Sequence, residues 1–332
     1  MQVLTVGTIG RLAVALGVAA GSPGKAQAET IELNLPVACE VGRTCFIQNY
    51  VDADPSPAAK DYRCGTLTYD GHSGTDFRAR SRQSSIKVLA AADGRIARVR
   101  DGMSDGSFRA SGRDVVKDVE CGNGVIVAHI DQWETQYCHL AKGSVRVKPG
   151  DEVRAGDELG QIGLSGLTEF LHLHLTVRHH GKMVDPFAYE AAPGCGAGKM
   201  LWAPVLHSQL AYQERSVLNA GFAGGPVTMD LIEGGKAEGE QPTADTPALV
   251  AFIRVIGLKA GDAQRLTLKN PKGETIAENR AALDKDKAQS LLFTGRRQPE
   301  KGWEKGSYVA RFVVERGARI VLQKSFEITL SD

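Results

Sequence analysis

The chain has 332 residues, 40 basic and 39 acidic side chains, and a formal charge of +1 at pH 7. The two signs are interspersed and no basic run is long enough to track a phosphate backbone, which argues against a nucleic-acid partner. The length exceeds what one core usually serves and suggests two domains. With 38 glycines and 6% aromatics the composition suits a β-rich chain with many turns better than a helical bundle.

At the N-terminus, Arg11 precedes a short apolar run from Leu12 to Ala20, and Ala26-Gln27-Ala28 offers an A-x-A cleavage site before Glu29. Residues 1–28 therefore read as a signal peptide. The run is shorter than the roughly 20 apolar residues a bilayer span needs. No later segment is long enough either, so no transmembrane anchor is expected after cleavage. The expected destination is the periplasm or the extracellular space. Cys39, Cys45, Cys64, Cys121, Cys138 and Cys195 agree with export: an even number favours intramolecular disulfides. Cys39 and Cys45 are spaced for a local loop, and the other four would staple the first domain. None forms a C-x-x-C pair, which argues against a cysteine zinc site.

Residues 29–61 read as an extended lead-in with a turn. From 62 to 193 short alternating strands are separated by glycine turns, with examples at 85–89, 94–99, 124–129 and 134–138. The stretch 101–120 is polar and glycine-rich and reads as an inserted surface loop. Two Gly-Asp turns, Gly150-Asp151 and Gly156-Asp157, suit a compact barrel or sandwich built from hairpins. Residues 194–225 read as a linker. Residues 226–332 alternate again, with strands expected at 227–232, 249–256, 264–268, 274–277, 290–293, 308–314 and 320–328. Seven strands in about a hundred residues match an immunoglobulin-like β-sandwich. It holds no histidine or cysteine and reads as an accessory domain. The expected fold class is all-β.

The chemistry lies in the first of these domains. His72-Ser73-Gly74-Thr75-Asp76 and His172-Leu173-His174 are about a hundred residues apart. Between them falls Tyr137-Cys138-His139-Leu140. Neutral imidazole and carboxylate are the ligands zinc prefers when one position must stay open for water. Residues two apart on a strand face the same way, so His172 and His174 would point into one cleft, with Leu171, Leu173 and Leu175 facing the core. A strand entering a turn would bring His72 and Asp76 to one point, and His174 can complete three ligands. The other histidines read more plainly: His179 and His180 precede a Gly-Lys turn and would face solvent.

The region from His72 to Pro186 resembles the lysostaphin-type zinc endopeptidases, which cut peptides of the bacterial cell wall. The resemblance is carried by His72-x-x-x-Asp76, 124–129 ending in His129, Thr135 to Leu140, the two Gly-Asp turns, Gly160-Gln161-Ile162-Gly163, His172-Leu173-His174 and Val184-Asp185-Pro186. It implies one zinc per chain held by His72, Asp76 and His174. It also implies that His139 and His172 are the active-site histidines that do not bind metal and assist as base or hydrogen-bond donor. The substrate so implied is peptidoglycan or its peptides. Members usually have a small, glycine-containing stretch before His-x-His. Here Leu167 to Leu171 includes Glu169 and Phe170, which would narrow or re-charge the cleft. Two alternatives follow from the same motifs: a non-catalytic wall-binding activator of another hydrolase, and a peptidase acting on glycine-rich proteins.

Overall fold

A computed structural model describes residues 1–3, 30–106, 116–192, 194–239 and 241–331. Nearly all of the stretch read as a signal peptide, and the middle of the 101–120 insert, lie outside the described residues. The described chain is almost entirely β, in several antiparallel sheets with little helix.

The first part contributes β1 (Cys45–Asn49), β2 (Thr75–Ala79), β3 (Lys87–Leu89), β4 (Gly94–Arg100), β5 (Asn123–Ala128), β6 (Trp133–Leu140), β7 (Glu152–Val153), β8 (Glu158–Gln161), β9 (His172–His179) and β10 (Lys182–Val184). Eight of them form one sheet in the order β1-β2-β9-β6-β5-β4-β7, with β10 also paired to β9. The remaining two, β3 and β8, pair separately. Strand β9 shows the logic. Leu173, Leu175 and Val177 are buried in the apolar core, while His172, His174 and Thr176 occupy the opposite face. The two Gly-Asp turns are alike: Gly150 and Gly156 have φ of 96° and 91°, and each following aspartate accepts from the backbone N–H three residues earlier. The lead-in is part of this core. Ile31, Leu33 and Val37 are buried in it, and β1 is a strand of the main sheet. Disulfides join Cys39–Cys45, Cys64–Cys195 and Cys121–Cys138.

The second part contributes β11 (Ser216–Ala223), β12 (Ala248–Leu258), β13 (Asp262–Lys269), β14 (Thr275–Ala282), β15 (Lys287–Arg297), β16 (Gly306–Arg316) and β17 (Arg319–Leu330). Sheet β11-β12-β15 packs on sheet β14-β13-β16-β17 around Leu249, Ile253, Leu266, Leu268, Phe312 and Val314. Two expectations fail here. No strand covers 227–232; that stretch enters a short helix α1 (Met229–Glu233), because the Thr228 hydroxyl accepts from Leu231 N–H and caps its first turn. The seventh strand is instead β11, inside the stretch read as a linker. Its apolar residues Leu218 and Phe222 are buried, and a register shift between Val217 and Asn219 buries Asn219 beside Leu218.

Candidate metal and active site

Strands β2 and β9 lie side by side with Asp76 directly opposite His174 and Arg78 opposite His172. The turn before β2 delivers His72. Gly71 adopts φ 75°, and His72 N–H closes the turn onto Tyr69 carbonyl at 3.0 Å. Gly74 lets this segment approach β9, since a Cβ there would come within 2.5 Å of Leu175 carbonyl oxygen and 2.7 Å of His174 Nε2.

Backbone carbonyls fix the protons of three imidazoles. A carbonyl can only accept, so the ring nitrogen facing it carries the hydrogen. His72 Nδ1 donates to Tyr50 at 2.6 Å, His139 Nδ1 to Ser165 at 2.8 Å, and His172 Nδ1 to Phe170 at 2.9 Å. When these rings are neutral, each therefore presents a bare Nε2. His174 is turned the other way: its Nδ1 lies 2.9 Å from Asp76 Oδ1, and Nε2 lies 3.1 Å from Thr176 Oγ1, to which it donates when Nδ1 is engaged by a metal.

The result is a convergence of acceptors. His72 Nε2 is 3.2 Å from both Asp76 Oδ1 and His174 Nδ1. The three donor atoms lie within 4.8 Å of one another, with His72 and Asp76 buried. Two nitrogen lone pairs and a carboxylate oxygen facing one point repel unless a cation or a proton lies between them. Burial opposes a charged His72, but Asp76, the Tyr50 carbonyl and Asp52 together outweigh it and raise the pKa. Burial likewise opposes ionised Asp76, yet His72 and His172 hold it well below the usual carboxylate range. A set of two imidazoles and one carboxylate at this spacing fits a borderline divalent metal with an open position.

His139 and His172 flank this cluster, their ring centroids 4.7 Å apart. His172 Nε2 is 3.5 Å from Asp76 Oδ1. Burial pushes the pKa of both down, furthest at His139, where the neighbouring His172 and His174 add to it. His139 has φ 65°, in the left-handed region that a non-glycine residue rarely occupies. Histidines 129 and 207 stand apart: His129 bonds Asp93 and Thr135, and His207 bonds Trp202. His179 departs from its expected solvent-facing position. It lies on the core face of β9 and stacks on Trp133 at 4.0 Å and 8°.

An open cleft of about 370 Å³ lies over the cluster, and Gln48, Tyr69, Arg78, Glu169, Phe170 and Gln289 contribute to its walls. Phe170 lies under the Arg78 guanidinium at 4.3 Å and against the His172 ring at 4.5 Å. Arg78 also donates to Gln48 and to Glu233 of α1, and the same Glu233 oxygen accepts from Arg254 of β12. Neither Arg78 nor Gln289 was evident from local sequence. Tyr69, three residues before His72, lies in the same glycine-containing turn, with its ring centroid 4.5 Å from that of His72.

Residues 70–186 match peptidase family M23, and the chain belongs to that family. It is 29% identical over 127 residues to an uncharacterized metalloprotease of Haemophilus influenzae, covering 38% of this chain and 22% of that protein. It is 34% identical over 68 residues to lipoprotein NlpD of Yersinia enterocolitica, covering 20% of this chain and 67% of that protein. To the murein hydrolase activator NlpD of Escherichia coli it is 28% identical over 119 residues, or 36% of this chain and 26% of that protein. The chain spans no more than 22% of the length of the first four curated relatives it matches.

Proposed function

We propose that this protein is an exported zinc metalloendopeptidase that hydrolyses peptide bonds of peptidoglycan, in its cross-links or stem peptides. The observation that carries the proposal is the meeting of His72 Nε2, Asp76 Oδ1 and His174 Nδ1 at the base of the cleft, with two further imidazoles beside them. His72, Asp76 and His174 would hold one zinc, which when bound supplies Lewis-acid polarisation of a carbonyl and acidifies water. The chain's own groups do the rest. His139 and His172, kept neutral by burial and with Nδ1 anchored on carbonyls, take up a proton at Nε2 and return it to the leaving amide nitrogen. Once protonated, each Nε2–H donates to the oxygen on which negative charge develops. Thr176 orients His174, and Tyr50 carbonyl orients His72. Three disulfides suit an oxidising compartment. Among the described residues no helix is long and apolar enough to cross a membrane. In this proposal residues 1–28 are a signal peptide, the unit of β1 to β10 with the lead-in is the peptidase domain, and the sandwich of β11 to β17 is an accessory domain.

The test is incubation of the purified protein with purified peptidoglycan, with and without chelator, and mass analysis of what is released. We expect peptide-bond cleavage that chelation stops, zinc restores and His174→Ala abolishes. A folded, zinc-loaded protein that releases nothing from peptidoglycan would refute it. The E. coli relative's name favours one second reading, a non-catalytic activator of a murein hydrolase. It predicts no release by this protein alone but faster release by an added amidase, unaffected by His139→Ala.

A further inference from the structure

We propose that Asp131, His179 and His180 form a second site for a divalent transition metal, separate from the first. His174 and His179 are both on β9, and five residues of extended strand place them about 16 Å apart. The two sites therefore share a strand and no ligand.

Two turns build the second site. Asp131 and Gln132, with φ of 47° and 58°, turn the chain into β6, and His180, with φ 49°, begins the turn from β9 into β10. His180 N–H donates to Gln132 carbonyl at 3.1 Å, which ties the turns together. Left-handed backbone at these three non-glycine residues, in two facing turns, costs on the order of 1–2 kcal/mol each. Such conformations persist where the surroundings need them.

The side chains then converge. One ligand atom from each of Asp131, His179 and His180 lies within 4.8 Å of the others. Tetrahedral coordination at zinc's usual bond lengths needs about 3.4 Å between ligand atoms, a small side-chain rotation away. His179 is the anchor. Trp133, its directly paired neighbour on β6, fixes the ring by stacking, and the His179 side chain is only 12% exposed. Its Nδ1 is 2.8 Å from Tyr189 Oη, while Nε2 is buried with no hydrogen-bond partner. Asp131 Oδ2 is 3.7 Å from that Nε2, too far for a hydrogen bond.

With Nδ1–H donating to Tyr189, Nε2 turns a bare lone pair towards a carboxylate. A cation between the two satisfies both, and Tyr189 then serves as the outer hydrogen-bond partner that metal-bound histidines keep. Two imidazoles and one carboxylate select zinc or copper over calcium and magnesium, which take oxygen ligands. His180 and Asp131 are exposed and leave the site open to solvent.

The full chain is first tested as the His174→Ala variant, so that only the second site can fill. Calorimetric titration with zinc should give one equivalent, against two in the unsubstituted protein. Adding His180→Gln or Asp131→Asn should weaken that equivalent at least tenfold. Copper should quench the fluorescence of stacked Trp133 to a plateau at one equivalent, and His180→Gln should remove the effect. Both substitutions are at exposed turn positions, and unchanged circular dichroism checks the fold. No equivalent in the His174→Ala protein, or one indifferent to both further substitutions, would overturn the proposal and leave a simple Asp131–His179 ion pair. Neither result depends on whether the protein is a peptidase.

Discussion

The backbone N–H of His139 donates to the carbonyl of Cys121 at 2.8 Å, and Cys121 is cross-linked to Cys138, the residue just before His139. The left-handed backbone of His139 is thus held from both sides. On the proposed function, replacing both cysteines by serine should lower peptidoglycan hydrolysis at least tenfold while zinc stoichiometry stays at its original value. The same change removes a short-loop cross-link and should cost about 3 kcal/mol of stability, read by urea unfolding.

Thr176 offers a milder change at the metal ligands. With a metal on His174 Nδ1, the Thr176 hydroxyl 3.1 Å from Nε2 accepts from Nε2–H, so the isosteric Thr176→Val would leave that N–H without this partner. Zinc affinity should fall roughly 10- to 100-fold, as for other outer partners of metal-bound histidine. Activity at saturating zinc should largely recover. A metal-buffer titration separates the two quantities.

How much of this was legible beforehand depends on sequence distance. Period-two alternation around His172 and His174 defines a strand with one apolar and one polar face, and that is what β9 shows. The grouping of His72 with Asp76 needs only a glycine-rich turn. Arg78 carries no such signal, because its ion-pair partner Glu233 comes from α1, more than 150 residues on. Gln289 in the cleft wall is invisible for the same reason. His179 misleads by its neighbours: the Gly-Lys turn suggests solvent, but its odd position on β9 sends it to the core face against Trp133.

Glu233 is the single carboxylate shared by Arg78 and Arg254, at 2.8 and 2.9 Å. Glu233→Ala would leave two buried guanidinium groups without it. We expect a loss of about 3–5 kcal/mol, the usual result of breaking one side of a buried ion pair. Glu233→Gln, which keeps a hydrogen-bond acceptor, should cost less. Urea unfolding of both variants makes the comparison.

Asp185 sets a pH dependence away from the metal ligands. Burial, with a further contribution from nearby Asp61, pushes its carboxyl up to about 7, although Phe187 N–H donates to Oδ1 and works against the rise. Oδ2 has no hydrogen-bond partner. The folded protein therefore binds this proton more tightly than the unfolded chain. The resulting stability is fully present below about pH 4 and is lost as pH rises towards 7, by an amount on the order of a few kcal/mol. Asp185→Asn should be stabilising relative to the parent at pH 8 and close to neutral at pH 4. An equal effect at both pH values would show that burial does not perturb this group.

Asp76 and His174 face each other across β2 and β9. A slip of one residue in this pairing turns one of the two strands over and moves its ligand into the apolar core. Only the correctly paired chain can then hold the ion. On the proposed function, metal capture would act as proofreading: register-shifted molecules would stay empty and lose the stabilisation that binding gives.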